Sequence, residues 1–215
     1  MRIPKHIGII PDGNRRWAVG QSMTKDRGYE NGLLPGLEAF KECQNLGVEE
    51  ISIYGFTVDN TKRPTAQRLA FTKSCVDMVN ILKNEDCDIL VAGNYNSNMF
   101  PVELSDWVKR KMFGKGGMKV NFLINYSWEW DLKGKSEVSY YNTTDISRID
   151  LILRWGGMRR LSGFLPIQSV YADFYVINEL WPDFKKEHIR DAISWYQLQD
   201  ITLGGWLDSL YCIFF

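Results

Sequence analysis

The chain has 215 residues, with 26 Lys and Arg balanced by 26 Asp and Glu and a pI of about 6.7. Such neutrality excludes the basic field that gathers nucleic acid, and no apolar run approaches the ~20 residues of a membrane-spanning helix. Hydrophobic residues at 45% and charged residues at 24% are those of an ordinary globule, predicting a single domain over 1–215.

The first predicted element is a short buried strand, Ile7–Ile10, which empties into Asp12-Gly13-Asn14-Arg15-Arg16. A strand ending in a glycine turn, with a carboxylate and cations beside it, is where an open α/β sheet binds ligands. Backbone N–H groups and guanidiniums suit a phosphate, and an Asp among them suits a divalent metal bridging phosphate oxygens. Taken alone, the same residues also describe a tight turn with a solvated arginine pair.

Next come a helix from about Gly32 to Leu46, a strand at Ile51–Tyr54 and a helix from Thr65 to Lys83 behind Pro64. Strands follow near Ile89–Ala92 and Lys119–Ile124. Between them Val102, Leu104, Trp107, Val108 and Met112 have helical spacing. The last predicted strand, Leu151–Leu153, runs into Arg154-Trp155-Gly156-Gly157-Met158-Arg159-Arg160-Leu161-Ser162, a second glycine-and-arginine anion site. Helices are expected near Phe164–Phe174 and Lys186–Leu198. The alternation predicts an α/β fold with an open, mostly parallel sheet flanked by helices.

Cys43, Cys75, Cys87 and Cys212 include no CxxC pair, and read as reduced thiols of a cytoplasmic protein rather than as a zinc site. The N-terminus lacks the apolar core of a signal peptide. Eight Trp and ten Tyr are many for this length, fitting either a large aromatic core or a cavity for an apolar substrate. The apolar tail between Leu207 and Phe215 is expected to pack on its own chain or on a partner.

The run from His6 to Ala18 resembles the opening pattern of the cis-prenyltransferase family, whose best-known members make undecaprenyl diphosphate. Phe56 to Pro64, Asp150 to Phe164, Tyr171 to Tyr175 and Trp181-Pro182-Asp183-Phe184 are similar to its later patterns, in the same order. The resemblance implies a Mg²⁺-dependent enzyme that joins an allylic prenyl diphosphate to a C5 diphosphate. Asp12 then matches the metal-binding carboxylate, with Gly13, Asn14, Arg15, Arg16 and Lys25 around the allylic diphosphate. Arg154, Arg160 and Ser162 match the clamp for the second diphosphate. Asn60 and Arg63 match residues near the reacting ends, and Asp173 stands where a metal-contacting glutamate is usual. A homodimer is implied, and peripheral membrane contact is compatible with it.

Several positions depart from that pattern. Tyr29 replaces a histidine, Asp59 a glutamate, Thr61 a tryptophan, Trp155 a small residue and Met158 a glutamate. Asn125 to Trp130 and Ile201 to Gly205 also diverge, the latter losing an arginine, and the stretch from Tyr126 to Asp150 is short. These departures predict a short or irregular prenyl diphosphate as product, with Trp128, Trp130 and Trp155 crowding the cavity or facing a cation. The alternatives are a terpene synthase-like enzyme that ionises a single diphosphate, and a non-catalytic partner subunit.

Overall fold

The computed structural model describes residues 2–134 and 141–200. The expectations for Ile201 to Gly205, Cys212 and the apolar tail lie outside these residues. Seven strands form one sheet in the order β4-β3-β5-β2-β1-β6-β7. These are β1 (His6–Ile10), β2 (Glu50–Tyr54), β3 (Cys87–Ala92), β4 (Lys111–Phe113), β5 (Met118–Leu123), β6 (Leu151–Arg154) and β7 (Asp173–Val176). Every pairing is parallel except that of the edge strand β4 with β3.

The central strands are buried on both faces, as near-continuous apolar runs such as Ile9-Ile10 and Leu151-Ile152-Leu153 require. Side chains alternate between two cores. Ile7, Ile9, Leu151 and Leu153 pack with α2 (Leu33–Asn45), α3 (Thr65–Leu82) and α5 (Lys186–Tyr196). Ile10 and Ile152 face the opposite side with Leu123, Tyr126, Phe164 and Leu165.

Two predicted helices are absent. Val102–Trp107 is a 3₁₀ segment, after which the chain turns back as β4. Val102 and Met112 are exposed while Leu104 is buried, so the segment has no continuous apolar face to support a helix, and Trp107 instead stacks on Phe113 across the turn, with ring centroids 4.9 Å apart. Residues 164–172 form turns instead of a helix, and β7, which was not expected, follows. Leu165 adopts φ 36° ahead of Pro166, and the residue before a proline is pushed out of the helical region.

The remaining predicted elements fall close to expectation, and α4 (Trp128–Leu132) is a short helix that was not expected. The burial of Cys43 and Cys75 pushes both thiols up to about 12, so they stay protonated packing groups. Among the described residues no helix is long and apolar enough to cross a membrane, and no cluster of three His, Cys, Asp or Glu side chains is arranged to hold a metal.

Candidate active site

The parallel register carries the carboxyl ends of β1, β2 and β6 to one edge of the sheet, because Ile10 pairs with Arg154 and Ile9 with Ile53. At that edge Gly13 turns the chain at φ 110°, and α1 (Asn14–Gly20) begins. Asp12 Oδ1 lies 3.6 Å from Arg16 Nη2, and its Oδ2 accepts a 2.9 Å hydrogen bond from Arg154 Nη2. One carboxylate therefore ties the loop after β1 to the loop after β6. Arg15 and Arg16 are exposed, with Arg15 reaching only Gln67 Oε1 at 3.4 Å.

Arg154 is the opposite case, 4% exposed and held on three sides. Its Nη1 donates to the carbonyl of Arg160 and, at 2.9 Å, to Ser162 Oγ, while Nη2 serves Asp12. The loop that wraps it has Gly156, Gly157, Ser162 and Gly163 all at positive φ. Gly156 is favoured on two counts: its φ of 84° suits glycine, and a Cβ would press on the Asp12 carbonyl at 3.2 Å and push aside the flexible end of Arg16. The Tyr54 hydroxyl donates at 2.8 Å to the carbonyl of Ser162, so β2 braces the loop as well.

Both loops line one open cavity of about 1650 Å³, its mouth included. Its wall carries Asp12, Gly13, Asn14, Arg15, Arg16, Lys25, Tyr29, Asn60, Arg63, Arg154, Arg160 and Ser162. Arg154 Nε and Asn14 Oδ1 are buried there without a hydrogen-bond partner among the described residues. Both atoms are therefore open to a polar ligand or a water.

A second, apolar pocket of about 590 Å³, its open mouth included, adjoins the cavity and runs between α2, α3 and the sheet. Tyr29, Tyr54 and Phe71 line both, as do Pro11 and Asn14. The rings of Tyr29 and Phe71 stack at 4.5 Å, and Arg63 Nη1 donates at 2.8 Å to the Tyr29 hydroxyl. Burial pulls Arg63 below its ordinary pKa and pushes Tyr29 above its own. A phenol that accepts from arginine still holds a proton to donate. Buried Ala39, Met78 and Phe122 form the inner walls of the pocket.

A cationic cavity opening into an apolar pocket suits an amphiphile with an anionic head. The model of the family described as putative undecaprenyl diphosphate synthase matches residues 10–204. The chain belongs to this family. It is a prenyltransferase. Isoprenyl transferase from Clostridium tetani is 30% identical, with 94% of this chain and 90% of the relative aligned. The protein of that name from Clostridium acetobutylicum is 31% identical over the same shares. Among solved structures, lavandulyl diphosphate synthase from Lavandula x intermedia, in complex with dimethylallyl diphosphate, superposes with a TM-score of 0.81. At 21% identity over 94% of this chain and 98% of that one, this likeness speaks for the fold.

Of the predicted site residues, all but Asp173 line the cavity. Asp173 opens β7 opposite Leu151, three register steps from the Val176–Arg154 pair, or roughly 10 Å down the strand. Burial raises its carboxyl pKa, with Arg2 opposing and Asp150 adding to the shift. Within the chain it does not join Asp12. Asn60 has a second duty, since its Oδ1 accepts from Thr57 N at 3.0 Å and caps a 3₁₀ turn.

Trp155 also sits elsewhere than expected. Strand alternation sends Arg154 to the cavity and Trp155 through to the other core, fully buried against Trp181 and Phe184. Neither Trp155, Trp128 nor Trp130 lines the two cavities. The aromatic faces at the junction belong instead to Tyr54 and Phe71, which sequence reading missed, and to Tyr29. Tyr54 was findable as the last residue of a strand ending at the ligand edge; Phe71 carries no motif.

Proposed function

We propose that the chain condenses an allylic prenyl diphosphate with a C5 diphosphate to give a short or irregular prenyl diphosphate. The observation that carries this reading is the convergence of two cationic loops on one cavity that opens into a single apolar pocket. The allylic diphosphate lies against Asn14, Arg15, Arg16 and Lys25, with its hydrocarbon chain in the pocket. The acceptor diphosphate lies against Arg154, Arg160 and Ser162.

The family's divalent metal belongs on Asp12. Magnesium is usually held by one or two carboxylates together with substrate phosphates, so a partly exposed carboxylate between two cationic loops fits a metal that arrives with the diphosphate. When bound, it neutralises charge on the departing diphosphate.

The chain's own groups do the rest. Arg15, Arg16 and Lys25 hold the leaving group in line. The Tyr29 hydroxyl, braced by Arg63, donates to it in place of the histidine of the family pattern. The rings of Tyr29, Tyr54 and Phe71 face the carbon that gains positive charge, where π faces stabilise a cation and exclude water. The acceptor's double bond then attacks that carbon to form the new C–C bond, and the resulting cation gives up a proton to the departed diphosphate. The small pocket beside a larger polar cavity supports products of about C10 to C20.

The test is to incubate the protein with Mg²⁺ and C5, C10, C15 or C20 allylic diphosphates, with and without isopentenyl diphosphate. Dephosphorylated extracts are then separated by chain length. Short products that require both substrates support the proposal. A ladder to about C50 overturns the length assignment, and product formed from one diphosphate alone overturns the condensation.

A further inference from the structure

We infer that His188, acting through the indole of Trp155, is a positioning residue that sets the second diphosphate clamp from behind the sheet. The inference rests on the assignment of Arg154, Arg160 and Ser162 to the acceptor diphosphate. Trp155 is the residue between Arg154 and Gly156, and its backbone N–H donates to the Ile10 carbonyl at 3.1 Å. Its fully buried indole passes to the far core and donates Nε1–H to His188 Nδ1 at 3.2 Å. The backbone N–H of Lys185 donates to the same nitrogen, also at 3.2 Å.

Two N–H groups pointing at Nδ1 define its protonation. That nitrogen is an acceptor, so the proton of the neutral ring sits on Nε2, 4.0 Å from Glu179 Oε2. The backbone around Glu179 is shared by both loops. Its carbonyl accepts from Gly156 N at 2.8 Å, and two residues on, Trp181 N donates to the Asp12 carbonyl at 3.0 Å. Trp181 and Phe184 close around the indole at ring separations of 4.8 and 5.9 Å.

The first turn of α5 is thus tied to the residue next to the clamp arginine by one side-chain hydrogen bond. Breaking it strands a buried indole N–H, and the cost of that unmet bond favours movement of the strand end. Movement there displaces Arg154 and Gly156 directly, whereas Arg15, in the first turn of α1, and Lys25, beyond α1, follow only through Ile10 and Asp12. His188 touches no residue assigned to substrate, so its influence falls first on the acceptor side.

The experiment compares His188→Ala, His188→Asn, His188→Gln and Trp155→Phe with Arg154→Ala, measuring KM for acceptor and allylic diphosphate separately. Asparagine puts an acceptor oxygen on Cγ where Nδ1 stood; glutamine places its polar atoms near Nε2. His188→Ala should raise the acceptor KM about tenfold, the size of one buried hydrogen bond, with the allylic KM within about twofold. His188→Asn should restore the acceptor KM and His188→Gln should not. Trp155→Phe should reproduce the loss, and adding His188→Ala to it should bring no further change. Equal behaviour of the Asn and Gln variants, or parallel rises in both KM values, overturns the positioning role. If Arg154→Ala raises the acceptor KM and His188→Ala does not, the strut fails while the clamp stands. If neither raises it, the clamp assignment itself is wrong.

Discussion

The two loops at the ligand edge hold the same kinds of residue in opposite states. The loop after β1 runs into a regular helix, and its arginines, Arg15 and Arg16, are exposed and loosely paired. The loop after β6 has no helix, spends four residues at positive φ, and buries Arg154 against three oxygen acceptors. Asp12 is where they meet. A loosely held cation can follow a leaving group as its charge develops, while a buried and prepositioned one offers a fixed site without reorganisation. That difference matches a first site where a bond breaks and a second where a substrate is only held.

Removing the shared carboxylate should have the largest effect. Asp12→Ala is expected to lower kcat by ~10² or more, because the departing diphosphate loses its metal-side partner and Arg154 loses an acceptor. Asp12 is more than a third exposed, so the far-ultraviolet circular dichroism should be unchanged. Wild-type turnover at saturating Mg²⁺ would remove the first-site assignment.

The next contrast lies within the second loop. Arg154→Ala should raise the acceptor KM by about tenfold or more, leaving Ser162 Oγ and the Arg160 carbonyl without their donor. Arg160→Ala should cost less, about threefold, since that side chain is exposed and its carbonyl, which holds Arg154, survives the substitution. Steady-state kinetics on both variants would decide. Equal losses would mean that burial does not separate the two arginines.

A smaller effect is expected from adding one methyl group to either glycine. Gly156→Ala combines a disfavoured φ with pressure on the Asp12 backbone at 3.2 Å and displacement of the Arg16 side chain, and should cost about 2 kcal/mol of stability together with part of the activity. Gly157→Ala has φ 73° but meets only Asn178 Oδ1, at 3.6 Å, so it should cost about 1 kcal/mol and leave activity near normal. At ~3 °C per kcal/mol in a chain of this size, thermal unfolding resolves the pair.

Much of this architecture was legible because it is written locally. Apolar runs of four to six residues gave five of the strands to within a residue or two, and both loops announce themselves by glycine and arginine at strand ends. What failed was non-local. Helical spacing between Val102 and Met112 marked no buried face, since both of those residues are exposed and Trp107 stacks on Phe113 across a turn. Residues 164–172 had helical composition, yet positive φ at Ser162, Gly163 and Leu165 broke the chain direction before any helix began. Asp173 sat within a matching motif, and only the register of an unexpected strand carried it away from Asp12. Trp155 could have been placed by strand alternation alone, since Arg154 and Trp155 must face opposite sides. The Arg63–Tyr29 contact, by contrast, bridges separate segments that nothing in the sequence joins.

The far edge of the same sheet should show the smallest effect, and one that leaves catalysis alone. There His6, 1% exposed, accepts from Ser52 Oγ at its Nε2 and donates from Nδ1 to the Ser147 carbonyl. Asn121 Nδ2 supplies both Ser52 Oγ and Glu50 Oε1, and Ser147 Oγ donates to Glu50 Oε2, so the neutral ring is fully satisfied. Burial holds the His6 pKa below its ordinary value of 6.5, although Glu50 and Asp150 favour the charged ring. A base whose pKa is depressed by folding takes up its proton first in the unfolded chain. Its contribution to stability is therefore complete above about pH 6.5 and is lost as the pH falls below that value. Scanning calorimetry at about pH 7.5 and about pH 5.5 should show a fall in Tm of a few degrees, beyond that of His6→Gln, which has no ring to protonate. Parallel pH dependence in the two proteins would mean that folding leaves the His6 pKa unshifted, and a wild-type Tm that rises toward pH 5.5 relative to His6→Gln would mean that Glu50, not burial, governs this end of the sheet.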